Sequence, residues 1–199
     1  IIDKDNSEDL NSEKFKQTDV AIEFSQPDTA VENFLKCFDQ KIPVVTGTTG
    51  WLKQKDFVEN KCKENSTAFL YAPNFSLGVN ILFEMNKKLA RIMNNFNNYK
   101  PEIEETHHIH KKDAPSGTAV SIAEQMNAYL KEFDGWDFEG KAVKNKIPVK
   151  SNRIGEVFGE HNISFISDED VIKLSHKAKN RNGFALGAVM AAEFIENKK

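Results

Sequence analysis

Apolar positions recur with a period of two at Val20, Ile22 and Phe24, and the spacing then lengthens behind Pro27, where Val31, Phe34, Leu35 and Phe38 fall three or four apart. The first pattern marks a half-buried strand and the second a helix, with proline suited to its first turn. The change repeats. Ile42-Pro43-Val44-Val45 is a short buried strand running into a glycine turn, a polar helix follows through Phe57 and Val58, and Thr67 to Tyr71 forms another strand. After Pro73 a long amphipathic helix carries Leu77, Ile81, Met85, Leu89, Ile92 and Phe96 on one face. Strands separated by helices predict right-handed crossovers and a parallel sheet, with ligand sites at the carboxyl ends of the strands, where the glycines fall.

From Tyr99 the pattern changes. Ile103 heads a strand that ends at a group of histidines, a helix runs from about Thr118 to Leu130, and a loop rich in Lys, Gly and Pro extends to about Pro148. Short strands around 154–158 and 163–165 are predicted to meet near Gly159, and Val171 to His176 alternates once more. This predicts a mixed, largely antiparallel sheet beside the parallel one, so the fold class is α/β. A closing helix, Phe184 to Ile195, carries small residues at Ala185, Gly187, Ala188, Ala191 and Ala192 that permit close packing.

Composition narrows the function. In 199 residues the hydrophobic share is 39%, the charged share 29% and the net charge −3, an ordinary globular balance with no basic stripe for nucleic acid. No apolar run approaches a membrane span and no signal-peptide pattern is visible, which makes the cytoplasm the expected location. Cys37 and Cys62 fit neither a metal spacing nor a disulfide framework and are expected to be free thiols.

The chemistry is concentrated between Glu105 and Ala119. His107, His108 and His110 stand beside Lys111 and Lys112, and Pro115-Ser116-Gly117-Thr118 then opens a helix. Histidine exchanges a proton near neutrality, lysine holds a negative substrate, and unpaired N–H groups at a helix start cradle a carboxylate or phosphate. An anionic substrate beside a proton donor is the reading. A zinc site is the competing one. If the strand runs through His108, His107 and His108 point to opposite faces and do not share a metal, and no His-Glu-x-x-His motif is present, so no metal ligand is expected. Gly47-Thr48-Thr49-Gly50 by itself reads as a tight turn, and Phe75 by itself as core.

Four motifs together carry a resemblance. Thr46-Gly47-Thr48-Thr49-Gly50-Trp51, Ala72-Pro73-Asn74-Phe75-Ser76-Leu77-Gly78-Val79-Asn80, the stretch His107-His108 with Lys111 and Asp113-Ala114-Pro115-Ser116-Gly117-Thr118-Ala119, and His176-Lys177-Ala178 with Arg181 resemble the dihydrodipicolinate reductase family, in the same order and over essentially the whole chain. The resemblance implies reduction of 4-hydroxy-tetrahydrodipicolinate by NADH or NADPH in the diaminopimelate route to lysine. It also implies a homotetramer assembled through the second sheet.

Carried over by motif position, His107 is the proton donor, with Lys111 assisting; His108, Lys111, Gly117 and Thr118 contact the dicarboxylate. Gly47, Thr48 and Thr49 and then Ala72, Pro73, Asn74 and Phe75 meet the cofactor, Asp3 holds the adenosine ribose, and Lys4 could meet a 2′-phosphate. Lys112 reads as a solvated charge, and Asp113 as a brace for the loop or a helix cap. The implied domains are an incomplete Rossmann-like one at 1–76 and 182–199, and one for substrate, catalysis and tetramerisation at 77–181. Ile1-Ile2-Asp3 looks like the tail of a strand whose preceding glycine-rich turn is absent, and the chain stops short of the family's C-terminal tail, so a fragment lacking both ends is expected. A cofactor-free binding or assembly module and a metal-dependent hydrolase are the alternatives from other classes.

Overall fold

Two adjacent valines organise the first unit, which comprises Ile1–Phe75 and Phe184–Lys199. In the computed structural model, which describes residues 1–138 and 143–198, β1 (Ala21–Glu23), β2 (Val44–Thr46) and β3 (Phe69–Tyr71) form a parallel sheet in that order. Side chains alternate along a strand. Val44 therefore packs with α2 (Pro27–Asp39) and α3 (Lys55–Glu64), while Val45 packs with α6 (Asn182–Ile195). Burial on both faces explains why the strand reads as a continuous apolar run.

Helix α2 starts with Pro27 at its first turn, beside Asp28, and buries Ala30, Val31, Phe34, Cys37 and Phe38 along one stripe. Phe34 meets Phe69 and Trp51 with ring centroids 5.1 and 5.2 Å apart. Trp51 in turn donates from Nε1 to the Thr48 carbonyl at 2.8 Å, which ties the glycine turn after β2 to the core. Both cysteines are buried free thiols, and burial above all pushes Cys37 up to about 12.

The beginning of the chain differs from the prediction. Among the described residues Ile1-Ile2-Asp3 pairs with no strand; Asp3 caps a 3-10 helix at Lys4–Asn11, accepting from the Lys4 N–H at 2.7 Å while its own N–H donates to Asn6 Oδ1 at 2.7 Å. A short polar side chain that bonds the backbone beside it draws the chain into a cap and away from a ladder. The four-residue α1 (Glu13–Lys16) follows and buries Phe15.

The second unit is Ser76–Gly183. It contains α4 (Leu77–Met93), β4 (Lys100–His107), α5 (Gly117–Asn127), β5 (Trp136–Phe138), β6 (Ile147–Arg153), β7 (Glu160–Ile166) and β8 (Val171–Lys177). The sheet order is β5-β6-β4-β7-β8. β5, β6 and β4 are parallel; β4–β7 and β7–β8 are antiparallel and form the longer ladders. Ile103, Val149 and Ile163 are direct cross-strand neighbours, and with Phe165 they pack under α4 and α5 against Leu82, Ala90, Ile122 and Met126.

Two predictions are corrected here. The segment 154–158 is not a strand: Gly155 (φ +46°) and Gly159 (φ +149°) adopt backbone open to glycine and turn the chain. The strand lies earlier, at Ile147–Arg153, beginning where the predicted loop was to end, because Ile147 and Val149 alternate toward the core; the short β5 lies inside that loop, and the loop's residues 139–142 lie outside the described residues. On α4 the buried positions are Val79, Leu82, Asn86, Ala90 and Met93. Of the predicted stripe only Leu89 packs against the core, while Leu77, Ile81, Met85, Ile92 and Phe96 are exposed. The helix is apolar over more than one stripe, and the face with the smaller residues is seated. There Asn86 Nδ2 donates to the Ile122 carbonyl of α5 at 3.1 Å.

Candidate active site

The strand period that builds the second core also builds a site at its end. Ile103, Glu105 and His107 share one face of β4, and the burial follows that alternation. Glu105 pairs in register with Ser151 on β6 and His161 on β7, and His161 pairs with His176 on β8. A row of polar groups therefore crosses the sheet one step beyond the apolar row of Ile103, Val149 and Ile163. His107 stands one pleat farther, opposite Arg153.

Glu105 is fully buried. Its Oε1 accepts from the Ser116 N–H at 2.9 Å, Ser151 Oγ at 2.7 Å and Arg153 Nη2 at 3.4 Å. Its Oε2 faces His107 Nδ1 at 3.4 Å and His161 Nε2 at 3.7 Å. Burial pushes the Glu105 carboxyl up, but hydrogen bonds from Ser116 and Ser151 and the neighbouring His107 outweigh it, and the group sits below the usual carboxylate range. Burial lowers His107, reinforced by Lys111 and Arg153 and opposed by Glu105. Burial and then His107 take His161 down from 6.5 to about 4.

His161 carries a pH dependence with a defined sign. The unfolded chain takes up the proton near 6.5, the folded one only near 4, so stability present above pH 6.5 is lost progressively as pH falls toward 4. Chemical denaturation between pH 7.5 and 4.5 is expected to show this decline in the wild type and a shallower one in His161→Gln. Equal slopes would rule out His161 as its source.

The loop after β4 is clamped onto this cluster. Arg153 Nε donates to the Lys111 carbonyl at 3.3 Å and Nη2 to the Asp113 carbonyl at 2.5 Å. Lys111 Nζ pairs with both carboxylate oxygens of Asp113, at 2.8 and 2.9 Å. Asp113 thus braces the loop, and the helix cap is Ser116, whose Oγ accepts from the Ala119 N–H at 3.2 Å. Gly117 opens α5 at the surface, and a Cβ there would meet nothing within 4 Å, so the helix tip is open to a ligand. Ser116 and Arg153 thereby tie the start of α5 and the Lys111–Asp113 loop to the carboxylate that faces His107. His108 follows β4 directly, half-buried, with its ring 6.0 Å from that of the exposed His110.

Ligand atoms of Glu105, His107 and His161 lie within 4.8 Å of one another, a spacing that geometry alone would allow a metal ion. The alternation that sets His107 and His108 on opposite faces puts Glu105 beside His107, and the β4–β7 register brings in His161 to complete the trio. Arg153 and Lys111 place two positive charges beside it, which opposes a dication, and the trio is read as a carboxylate–imidazole group.

In the first unit the carboxyl ends of all three strands are joined. Thr46 Oγ1 donates to Glu23 Oε2 at 2.5 Å, the Gly47 N–H to the Glu23 carbonyl at 3.1 Å, and the Ala72 N–H to the Thr46 carbonyl at 3.2 Å. The predicted loops Gly47–Thr49 and Ala72–Phe75 therefore stand side by side. Gly47 lies so close to the Phe24 ring that a Cβ would come within 2.1 Å of it, so the turn excludes a side chain there; the buried Thr48 Oγ1 has no partner among the described residues, and a bound dinucleotide's amide would supply one. Thr49 and Pro73 are exposed and Asn74 is half-buried. The Phe75 ring is in the core with Ala188, and its carbonyl lies against Gly187 of α6. The bonds of Asp3 are those of its own cap.

Sequence reasoning did not assign Glu105, Ser151, Arg153, Gly159 or His161. Glu105 was findable, because it stands two positions before His107 and a strand returns it to the same face. Arg153 lay just ahead of a segment misread as strand, and His161 carried no local signal. Two motifs meet in space where the sequence kept them apart: a Cβ on Gly78 would fall 2.6 Å from His176 Nε2.

Residues 3–75 match the family described as dihydrodipicolinate reductase, N-terminus, and residues 78–199 the family described as dihydrodipicolinate reductase, C-terminus. The 4-hydroxy-tetrahydrodipicolinate reductase of Christiangramia forsetii is 46% identical over 182 residues, covering 92% of this chain and 76% of that protein. The enzyme of the same name from Methanopyrus kandleri is 37% identical, covering 90% and 67%. Among solved structures, dipicolinate-bound dihydrodipicolinate reductase from a Paenisporosarcina species superposes with a TM-score of 0.76 at 25% identity, over 92% of this chain and 71% of that one.

Proposed function

This chain belongs to the dihydrodipicolinate reductase family, and from that premise we propose that it reduces 4-hydroxy-tetrahydrodipicolinate to tetrahydrodipicolinate, with His107 as the proton donor. It is an oxidoreductase of the diaminopimelate route to lysine that uses a nicotinamide dinucleotide. The observation that carries the reading is that His107 and the start of α5 meet Glu105 directly while Arg153 ties the Lys111 loop to the same carboxylate.

When bound, the cofactor supplies the hydride. Gly47, Thr48, Thr49, Ala72, Pro73, Asn74 and Phe75 would hold its nicotinamide side, and Asp3 and Lys4 its adenosine ribose. Lys111 and His108, with the N–H groups of Gly117 and Thr118, hold the dicarboxylate, and charge-assisted bonds of this kind orient as well as bind. Lys111 is already paired with Asp113, so the substrate carboxylate shares or displaces that partner. Burial keeps the free His107 neutral near pH 7. A dianion beside it favours the imidazolium, so proton uptake by His107 accompanies substrate binding. Nε2 of His107 faces Gly159, where even a Cβ would sit 3.2 Å away, so the absence of a side chain there leaves room for the substrate ring.

The ribose end decides the cofactor: a carboxylate at Asp3 favours free hydroxyls and NADH, whereas Lys4 would favour the 2′-phosphate of NADPH. Among the described residues no helix is long and apolar enough to cross a membrane, consistent with work in the cytoplasm. A homotetramer through the second sheet is in keeping with the exposed Val171 and Ile172 on β8. The test is a coupled assay in which the preceding synthase generates the substrate and the absorbance of NADH or NADPH is followed. Substrate-dependent oxidation of at least one dinucleotide is expected; none with either, in a folded protein that binds the dinucleotide, would overturn the reading.

A further inference from the structure

Glu105 has no part in the motif-based assignment, yet it is fully buried in the site and one of its oxygens accepts three hydrogen bonds. Its Oε1 is held by three donors, two from β6 and one from the start of α5. Oε2 is left with imidazoles alone. It and His107 Nδ1 are both buried, neither has a hydrogen-bond partner among the described residues, and they face each other at 3.4 Å as a charge pair. Because Glu105 and His107 share one face of a single strand, the pairing is fixed by backbone geometry and not by a mobile loop.

We propose that Glu105 is the positioning residue of the proton donor: its Oε2 holds the Nδ1 proton of His107, so that Nε2, set against Gly159, is the atom that passes a proton to the substrate ring. The inference rests on the reading of His107 given above and adds which nitrogen acts and what selects it. In the proton transfer the Nε2–H bond breaks as a C–H bond forms on the ring, and the imidazole returns to its neutral form with the Nδ1 proton still toward Glu105. The electrons that complete the reduction arrive as the hydride that the bound dinucleotide would supply, and the 4-hydroxyl of the substrate leaves as water. A carboxylate fixed in this way stabilises the imidazolium and disfavours the tautomer that would place the neutral ring's proton on Nε2.

The ionisable and charged groups around His107 are Glu105 on its own strand, Arg153 on β6, His161 on β7, and Lys111 and Asp113 on the following loop; His176 on β8 adjoins His161. Of these only Glu105 and Asp113 favour the charged ring. Removing the charge at 105 therefore lowers the pH at which His107 gives up its proton.

Two readouts test this on Glu105→Gln and Glu105→Asp. Ring nitrogen-15 NMR of His107 in the free enzyme is expected to show the Nδ1-protonated tautomer in the wild type and a mixture in Glu105→Gln. The alkaline fall of kcat/KM should move down by about one pH unit, with about 10-fold lower activity at neutral pH. Glu105→Asp keeps the charge with a shorter reach, so it should mix the tautomers while moving the fall less, and it carries the test alone if the glutamine variant does not fold. Wild-type tautomer and pH profile in a folded variant would overturn the proposal. Full activity in His107→Gln would instead refute the donor reading, and the NMR result would still decide the Glu105–His107 pairing.

Discussion

Replacing His107 by glutamine is expected to lower kcat by roughly 10²–10⁴-fold, the usual worth of a positioned acid, while the affinity for the dinucleotide stays at its wild-type value. The two expectations separate because the histidine and the dinucleotide loops belong to different units of the chain. Glutamine is close in size and polar, and Ser116, Ser151 and Arg153 continue to hold Glu105 on its other oxygen, so the fold should survive with a modest change in melting temperature. The pH profile gives the discriminating signature. If protonated His107 delivers the proton, wild-type kcat falls as pH rises through the value His107 has in the complex, and that limb disappears in the variant. A variant that keeps wild-type kcat, or loses activity only in proportion to unfolding, would refute the assignment. Fluorescence titration of the reduced dinucleotide and steady-state rates on one preparation decide between these outcomes.

The legibility of the chain followed the range of the interactions. Val44 and Val45, Pro27 with Phe34 and Phe38, and Ser116-Gly117 at the start of α5 were readable because strand alternation, helix periodicity and capping act within a few residues. His107 and Lys111 stood out for the same reason, being four positions apart across the end of β4 and the loop that follows, where the composition is unusual. What stayed hidden was set by register. His161 and Ser151 lie opposite Glu105 only because β7 and β6 pair with β4 at one offset, and nothing in their own neighbourhoods encodes it. Register also decides that a glutamate in a strand reading as half polar becomes one of the most buried side chains in the molecule. The α4 stripe failed differently: its large apolar residues are exposed while Asn86 is buried, because its carboxamide finds the Ile122 carbonyl and Gln125 on α5. Periodicity identifies an amphipathic helix but does not rank its faces when a small-residue face also fits.

Gly187→Ala is expected to destabilise the first unit by about 3 kcal/mol or more, at the upper end of the cost of overfilling a packed interior. Two effects oppose each other. Alanine in a helix interior is worth about 1 kcal/mol over glycine, so by propensity alone the substitution would stabilise α6. A Cβ at this position, however, would fall 1.8 Å from the Phe75 carbonyl oxygen and 2.9 Å from its carbonyl carbon. Those are backbone atoms and cannot swing aside as a side chain end could. Relief requires either α6 to lift from Val45 and Phe75 or the loop after β3 to move, and both open the cluster that Ala188 and Ile195 fill. The clash therefore outweighs the propensity gain. Gly183→Ala is the internal control, since a Cβ there meets nothing within 4 Å, and it should be neutral or slightly stabilising. Because the displaced loop is the one proposed to hold the dinucleotide, Gly187→Ala should also weaken dinucleotide binding, which Gly183→Ala should leave unchanged. Urea denaturation of the two variants beside the wild type measures the difference, and equal midpoints would show that α6 does not rest on the Phe75 backbone in solution.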